Sequence, residues 1–170
     1  MTVIREYDTE PLLFLDIEAS HPNEEGYPIS IAWSTLEGEI HTALIIPEDD
    51  WLDWDFSYQQ SNGLTREHLF EQGQTALDVI KQMKEDLADF TVYVDGLDPD
   101  KEWLQRLYSS FSMDIPFELD YFRNSTFGFD FNQFALAREE LLQEQGLSPF
   151  NAENNVYAML KIAERQQTLE

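Results

Sequence analysis

The sequence predicts an α/β or α+β fold, a β-sheet flanked by helices. Strand-like runs come first, at 11–18, 27–36 and 39–47, as a meander. Helical periodicities and short apolar strands alternate afterwards, the order of a layered sheet-and-helix domain. A chain of 170 residues that is 42% hydrophobic, with twelve Phe and four Trp, supports a single domain over 1–170 with a core of its own.

The elements follow in order. "PLLFLDIEAS" is apolar on both alternating faces up to position 16, the mark of a central, covered strand. "YPISIAWSTLEGEIHTALIIP" reads as two strands about a turn at Gly38, rich in Ile, Thr and Trp. The acidic, Trp-bearing "EDDWLDWDFSYQQSNG" (48–63) reads as a loop. A helix fits 65–89, broken near Gly73, because Leu77, Ile80, Met83 or Lys84, and Leu87 recur at helical spacing. "TVYVD" (91–95) is a short buried strand, and "DPDKEWLQRLYSSF" a helix with Asp98 as N-cap and Pro99 at its first position. "PFELDYF" is a weaker strand, and helices fit 130–145 and 151–166.

Charge sets the first limit on function. Ten Lys and Arg stand against 34 Asp and Glu, a formal net charge of −24. Nucleic-acid binders usually carry a basic footprint, so tight non-specific binding to DNA is disfavoured. A divalent cation can still reverse the local field and recruit a short nucleic-acid end. With no cysteine there is no thiolate chemistry and no disulfide framework. No stretch has the length of a membrane span and "MTVIREYDTE" lacks a signal peptide's apolar core, so the expectation is a soluble cytoplasmic domain.

Strand residues alternate faces, so Leu12, Phe14, Asp16 and Glu18 share one side of the first strand, and Leu13, Leu15 and Ile17 the other. Asp16 and Glu18 then stand together at its carboxyl end, where open α/β sheets place ligands. Two buried anions this close repel. A bridging divalent cation resolves the repulsion, since hard cations prefer carboxylate oxygens. The alternative is a strand that has simply turned polar for solvent. Asp100, in the first turn of a helix after the short strand at 91–95, has two readings as well: a complement to the helix dipole, or a third acid for the same cation.

Taken in order, "FLDIEAS", "YPISIAWS", "GLTREHL" and "VDGLDPDKEWLQRL" resemble the DEDD superfamily of 3′–5′ exonucleases, in particular a bacterial exoribonuclease-like branch in which "LIIPEDDWLDWD" also finds a counterpart. The likeness runs from about residue 12 to 165. It implies an RNase H-like α/β fold: a mixed five-stranded sheet, second strand antiparallel, flanked by helices. It also implies two-metal hydrolysis of the terminal phosphodiester of single-stranded RNA or DNA, with two Mg²⁺ or Mn²⁺ ions roughly 4 Å apart. Asp16 would bridge both ions, Glu18 would hold the catalytic ion and orient the attacking water, and Asp100 would serve the second ion.

The third motif departs from that pattern. In "SPFNAENNVYAMLKIAE" the helix and its apolar positions Ala152, Val156, Met159, Leu160 and Ile162 or Ala163 fit, but the family's histidine position is Phe150 and its aspartate position is Asn155. The alternative tyrosine position is Asn151. Glu153 faces elsewhere on the helix, and His21, just past the first motif, is the conceivable substitute base. Asp114, Asp120 and Asp130 are alternative third acids, but none precedes the required apolar helical pattern. Asn is uncharged where Mg²⁺ sites lean on carboxylates, and a lost general base forfeits about 10²–10⁴ in rate. The expectation is therefore a degenerate nuclease, its activity weak or absent. The competing expectation is a non-catalytic acidic interaction or regulatory protein, a pseudoenzyme that meets a basic protein or a second copy of itself.

Four further features have two readings each. Trp51, Trp54, Phe56 and Tyr58 could stack bases or form a satellite core under the loop. Arg66 could hold a phosphate or make a surface ion pair. Lys101, Arg106 and Arg123 are the candidates for a local basic rim. Acidic runs such as "PEDDWLDWD" read as solvated surface.

Overall fold

Seven consecutive residues of the first strand, β1 (Leu13–Ala19), are buried, so the strand is covered on both faces. The computed structural model describes residues 12–125 and 130–168. β1 pairs antiparallel with β2 (Pro28–Ser34), which pairs antiparallel with β3 (Ile40–Leu44). On its other side β1 runs parallel to β4 (Thr91–Val94), which runs parallel to β5 (Glu118–Tyr121). The order β3-β2-β1-β4-β5 is the mixed five-stranded sheet with an antiparallel second strand that the sequence led us to expect.

Each face of the sheet has its own core. Leu13, Leu15 and Ile17 join Ile29, Ile31 and Trp33 of β2, and Val92 and Val94 of β4. Over them pack α3 (Ala76–Leu87), through Val79, Ile80, Met83 and Leu87, and α4 (Asp100–Ser109), through Trp103, Leu104 and Leu107. Phe14 and Ala32 face the opposite way, onto Phe134 and Leu141 of α5 (Phe131–Gln145) and Val156, Met159 and Ile162 of α6 (Ala152–Thr168). Asp16 and Glu18 thus continue the Phe14 face, where the apolar stripe of β1 ends. A register shift between Glu18 and Ala19 ends the regular pairing with β2 at the same place.

Three local expectations need correction. The acidic stretch 48–63 is not all loop, because it contains α1 (Phe56–Asn62). The Asp55 side chain accepts the Ser57 and Tyr58 N–H groups, and Gly63, at φ 73°, ends the helix. The helix over 65–89 is indeed two, α2 (Arg66–Gln72) and α3, but Leu77 is exposed and Val79 takes its place in the core. Asp98 is not the N-cap of α4. Pro99 occupies that position at φ −78°, ψ 54°, and the Asp98 carbonyl accepts the Asp100 N–H at 2.9 Å. That is an inverse γ-turn, and it delays the helix by one residue. Among the described residues no helix is long and apolar enough to cross a membrane.

Candidate metal centre

Three acids meet where β1, β4 and α4 converge. Asp16 lies two residues past Phe14, and Asp95 two past Tyr93, the residue that pairs with Phe14 in parallel register. The turn at Pro99 then brings Asp100 back to β1, where its Oδ1 accepts the Ile17 N–H at 3.1 Å. One carboxylate oxygen from each of Asp16, Asp95 and Asp100 falls within 4.8 Å of the others, and the three residues are 0%, 3% and 1% exposed. The expected Asp16 and Asp100 are therefore together. Asp95, which the sequence reading left as a strand end, joins them.

Glu18 is buried beside this trio and outside it. Its Oε2 accepts the Tyr58 hydroxyl at 3.4 Å. Tyr58 arrives on α1, whose capping residue Asp55 donates its N–H to Ser20 O at the end of β1 (3.0 Å). Phe150, half-exposed at the start of α6, sets its ring edge-on to Tyr58 at 6.4 Å between centroids.

The third-motif helix reaches the trio through Asn155. Its Nδ2 donates to Asp16 Oδ2 at 2.9 Å, and its Oδ1 accepts Arg138 Nη2 at 2.7 Å. Arg138, from α5, also lies with Nε 3.9 Å from Asp95 Oδ2. Sequence reasoning missed this arginine.

Electrostatics make the pocket hungry for positive charge. Burial pushes the Asp16 and Asp100 carboxyls well above the ordinary range, and the neighbouring acids push them further. The Asn155 amide opposes the shift at Asp16, and the Ile17 N–H opposes it at Asp100. Asp95 is also raised by burial, against the pull of the Leu97 N–H and Arg138. Glu18 is raised to about 8 by burial and then by Asp98, with the Tyr58 hydrogen bond opposing. Asp16 Oδ1 and Asp100 Oδ2 are buried with no hydrogen-bond partner. Orphaned buried oxygens are rare in folded proteins, and a hard cation satisfies both at once.

The remaining candidates lie elsewhere. His21 pairs with Asp55 at 3.8 Å. Asp130 caps α5, and Asp120 accepts the Asn124 amide. Trp51 is core, stacked on Tyr27 at 5.4 Å, so the base-stacking reading fails for it. Among the described residues Arg66 shows no ion pair. It bonds to Tyr27 Oη and to Trp51 O. Arg106 turns to the carbonyls of Glu25 and Gly26. Lys101 and Arg123 share the ring of Tyr121, at 4.1 and 4.6 Å from its centroid.

No protein-family model matches the chain, and no curated protein matches it. Solved structures do. Exonuclease I of E. coli in complex with a dA16 oligonucleotide superposes with a TM-score of 0.69 at 15% identity, over 94% of this chain and 41% of that one. The fold is the exonuclease fold. The zinc-bound form of the E. coli exonuclease I–single-stranded DNA complex gives a TM-score of 0.67 at 15% identity, over 94% and 40%. A moderately thermophilic exonuclease I from Methylocaldum szegediense gives 0.64 at 19%, over 93% and 41%. This chain therefore spans about two fifths of the length of its neighbours.

Proposed function

We propose that this exonuclease-fold domain binds a divalent cation, Mg²⁺ or Mn²⁺, through Asp16, Asp95 and Asp100, and meets the 3′ end of a single-stranded nucleic acid with strongly impaired hydrolysis. The observation that carries the reading is the convergence of three buried carboxylates, two of them with orphaned oxygens. The oligodeoxynucleotide complexes of the neighbouring structures favour DNA as the strand, with RNA as the second choice. A cation held there would supply Lewis-acid stabilisation of the charge on a phosphoryl oxygen.

The chain's own groups do the rest. Glu18, held by Tyr58 beside the trio, is the candidate to orient a water. The exposed ring of Phe150 offers a face to a terminal base and accepts no proton. Asn155 supplies an amide where a fourth carboxylate would add charge, and Arg138 weakens the field further. These two features favour the second reading, a non-catalytic acidic domain that retains the cation pocket and binds a basic protein.

Labelled single strands incubated with the protein and Mn²⁺ decide between them. The wild type should degrade DNA and RNA ends at least ~10²-fold more slowly than Phe150→His with Asn155→Asp. Efficient wild-type degradation that Asp16→Ala stops would show that the third motif is not impaired. A silent repaired variant would favour the binding role.

A further inference from the structure

We propose that Arg138 is a resident counter-ion of the acidic pocket and limits it to a single divalent cation. The inference rests on the proposed cation site and adds a residue that no motif assigns. Burying a guanidinium costs several kcal/mol unless charge and hydrogen bonds compensate. In a chain with 34 acids a surface partner is easy to find, yet the Arg138 side chain is only 13% exposed. One arm is fixed by Asn155 Oδ1 at 2.7 Å and Pro149 O at 3.1 Å, while Nε has no hydrogen-bond partner and stands 3.9 Å from Asp95 Oδ2.

The oxygens of the trio can be followed one at a time. Asp16 Oδ2 accepts Asn155, Asp100 Oδ1 accepts the Ile17 N–H, and Asp95 Oδ1 accepts the Leu97 N–H. Asp95 Oδ2 faces Arg138. Asp16 Oδ1 and Asp100 Oδ2 are buried with no hydrogen-bond partner, and Asp95 Oδ2 meets Arg138 across a gap too long for a hydrogen bond. With the Asp95 oxygen drawn toward Arg138, this set suits one hard cation that keeps several waters. Asn155 cannot help a second ion, because its oxygen is turned to Arg138 and its amide nitrogen to Asp16 and Pro149.

Mn²⁺ titration of the full chain, with free ion counted by electron paramagnetic resonance, tests this without any turnover. The wild type should take up one Mn²⁺. Arg138→Gln should bind Mn²⁺ at least about tenfold more tightly, because a cation beside Asp95 is gone. Arg138→Lys, which keeps the charge, should stay within about threefold of wild type. Two ions of similar affinity in the wild type overturn the proposal and leave the cation site standing, as does a folded Arg138→Gln protein that binds no more tightly. A wild type that binds no Mn²⁺ overturns both. The wild-type count holds its force even if Arg138→Gln fails to fold.

Discussion

Glu18 is a buried acid whose carboxylate accepts a hydrogen bond from Tyr58, and its titration gives the site a signature in stability. Its carboxyl, near 4.5 when unperturbed, holds its proton in the folded protein up to about 8. Between those values the unfolded chain binds fewer protons than the native one, so the stability that Glu18 contributes is full below 4.5 and is lost as pH rises through 8. Melts of metal-free protein should show Tm falling from pH 5 to pH 8, with a visibly shallower slope in Glu18→Gln. Equal slopes would remove Glu18 from the buried cluster. The same scale shows what the sequence disclosed. Asp16 and Glu18 were legible because a strand's alternation fixes where such residues point, whereas Asp100, Phe150 and Asn155 were picked out by the resemblance to the exonuclease superfamily. Asp95 was not, although "FLD" and "VYVD" end two parallel neighbours alike; pairing β1 with β4 is a long-range event that spacing does not encode. Arg138 was hidden because a lone arginine among glutamates on a helix resembles ordinary solvated surface.

The elements were read well where capping and breaking residues coincided with apolar rhythm, as at Gly73. A Cβ there would sit 2.3 Å from Leu69 O and 3.0 Å from Ile46 Cγ1 and N, so backbone would have to move. Gly38 has open space around it and needs glycine only for its φ of 82°. Gly73→Ala should therefore cost more than about 2 kcal/mol in urea unfolding, and Gly38→Ala about 1. Comparable costs would mean that the α2–α3 junction is looser than described. α1 was missed for the opposite reason. It contains no buried residue, so no apolar stripe announced it, and only Asp55 and Gly63 marked its ends. At α4, Pro99 outweighed the capping preference of Asp98 by closing a γ-turn.

Across the whole molecule the charge of −24 acts against compaction. Salt screens it, with a Debye length falling from about 10 Å at 0.1 M towards 3 Å at 1 M. Raising NaCl from 0.05 to 0.5 M in the absence of divalent ions should lift Tm by several degrees, and a falling Tm would show that attractive pairs dominate instead. The layout of the two cores has a further consequence. Both lie along the sheet, and the acids begin where the apolar stripe of β1 stops, so the packing that makes the chain fold does not depend on the groups that would make it react. Mutations can drift through the pocket's walls without emptying either core, and each carboxylate they remove eases a repulsion. An architecture of this kind can outlive its original chemistry and be put to other uses.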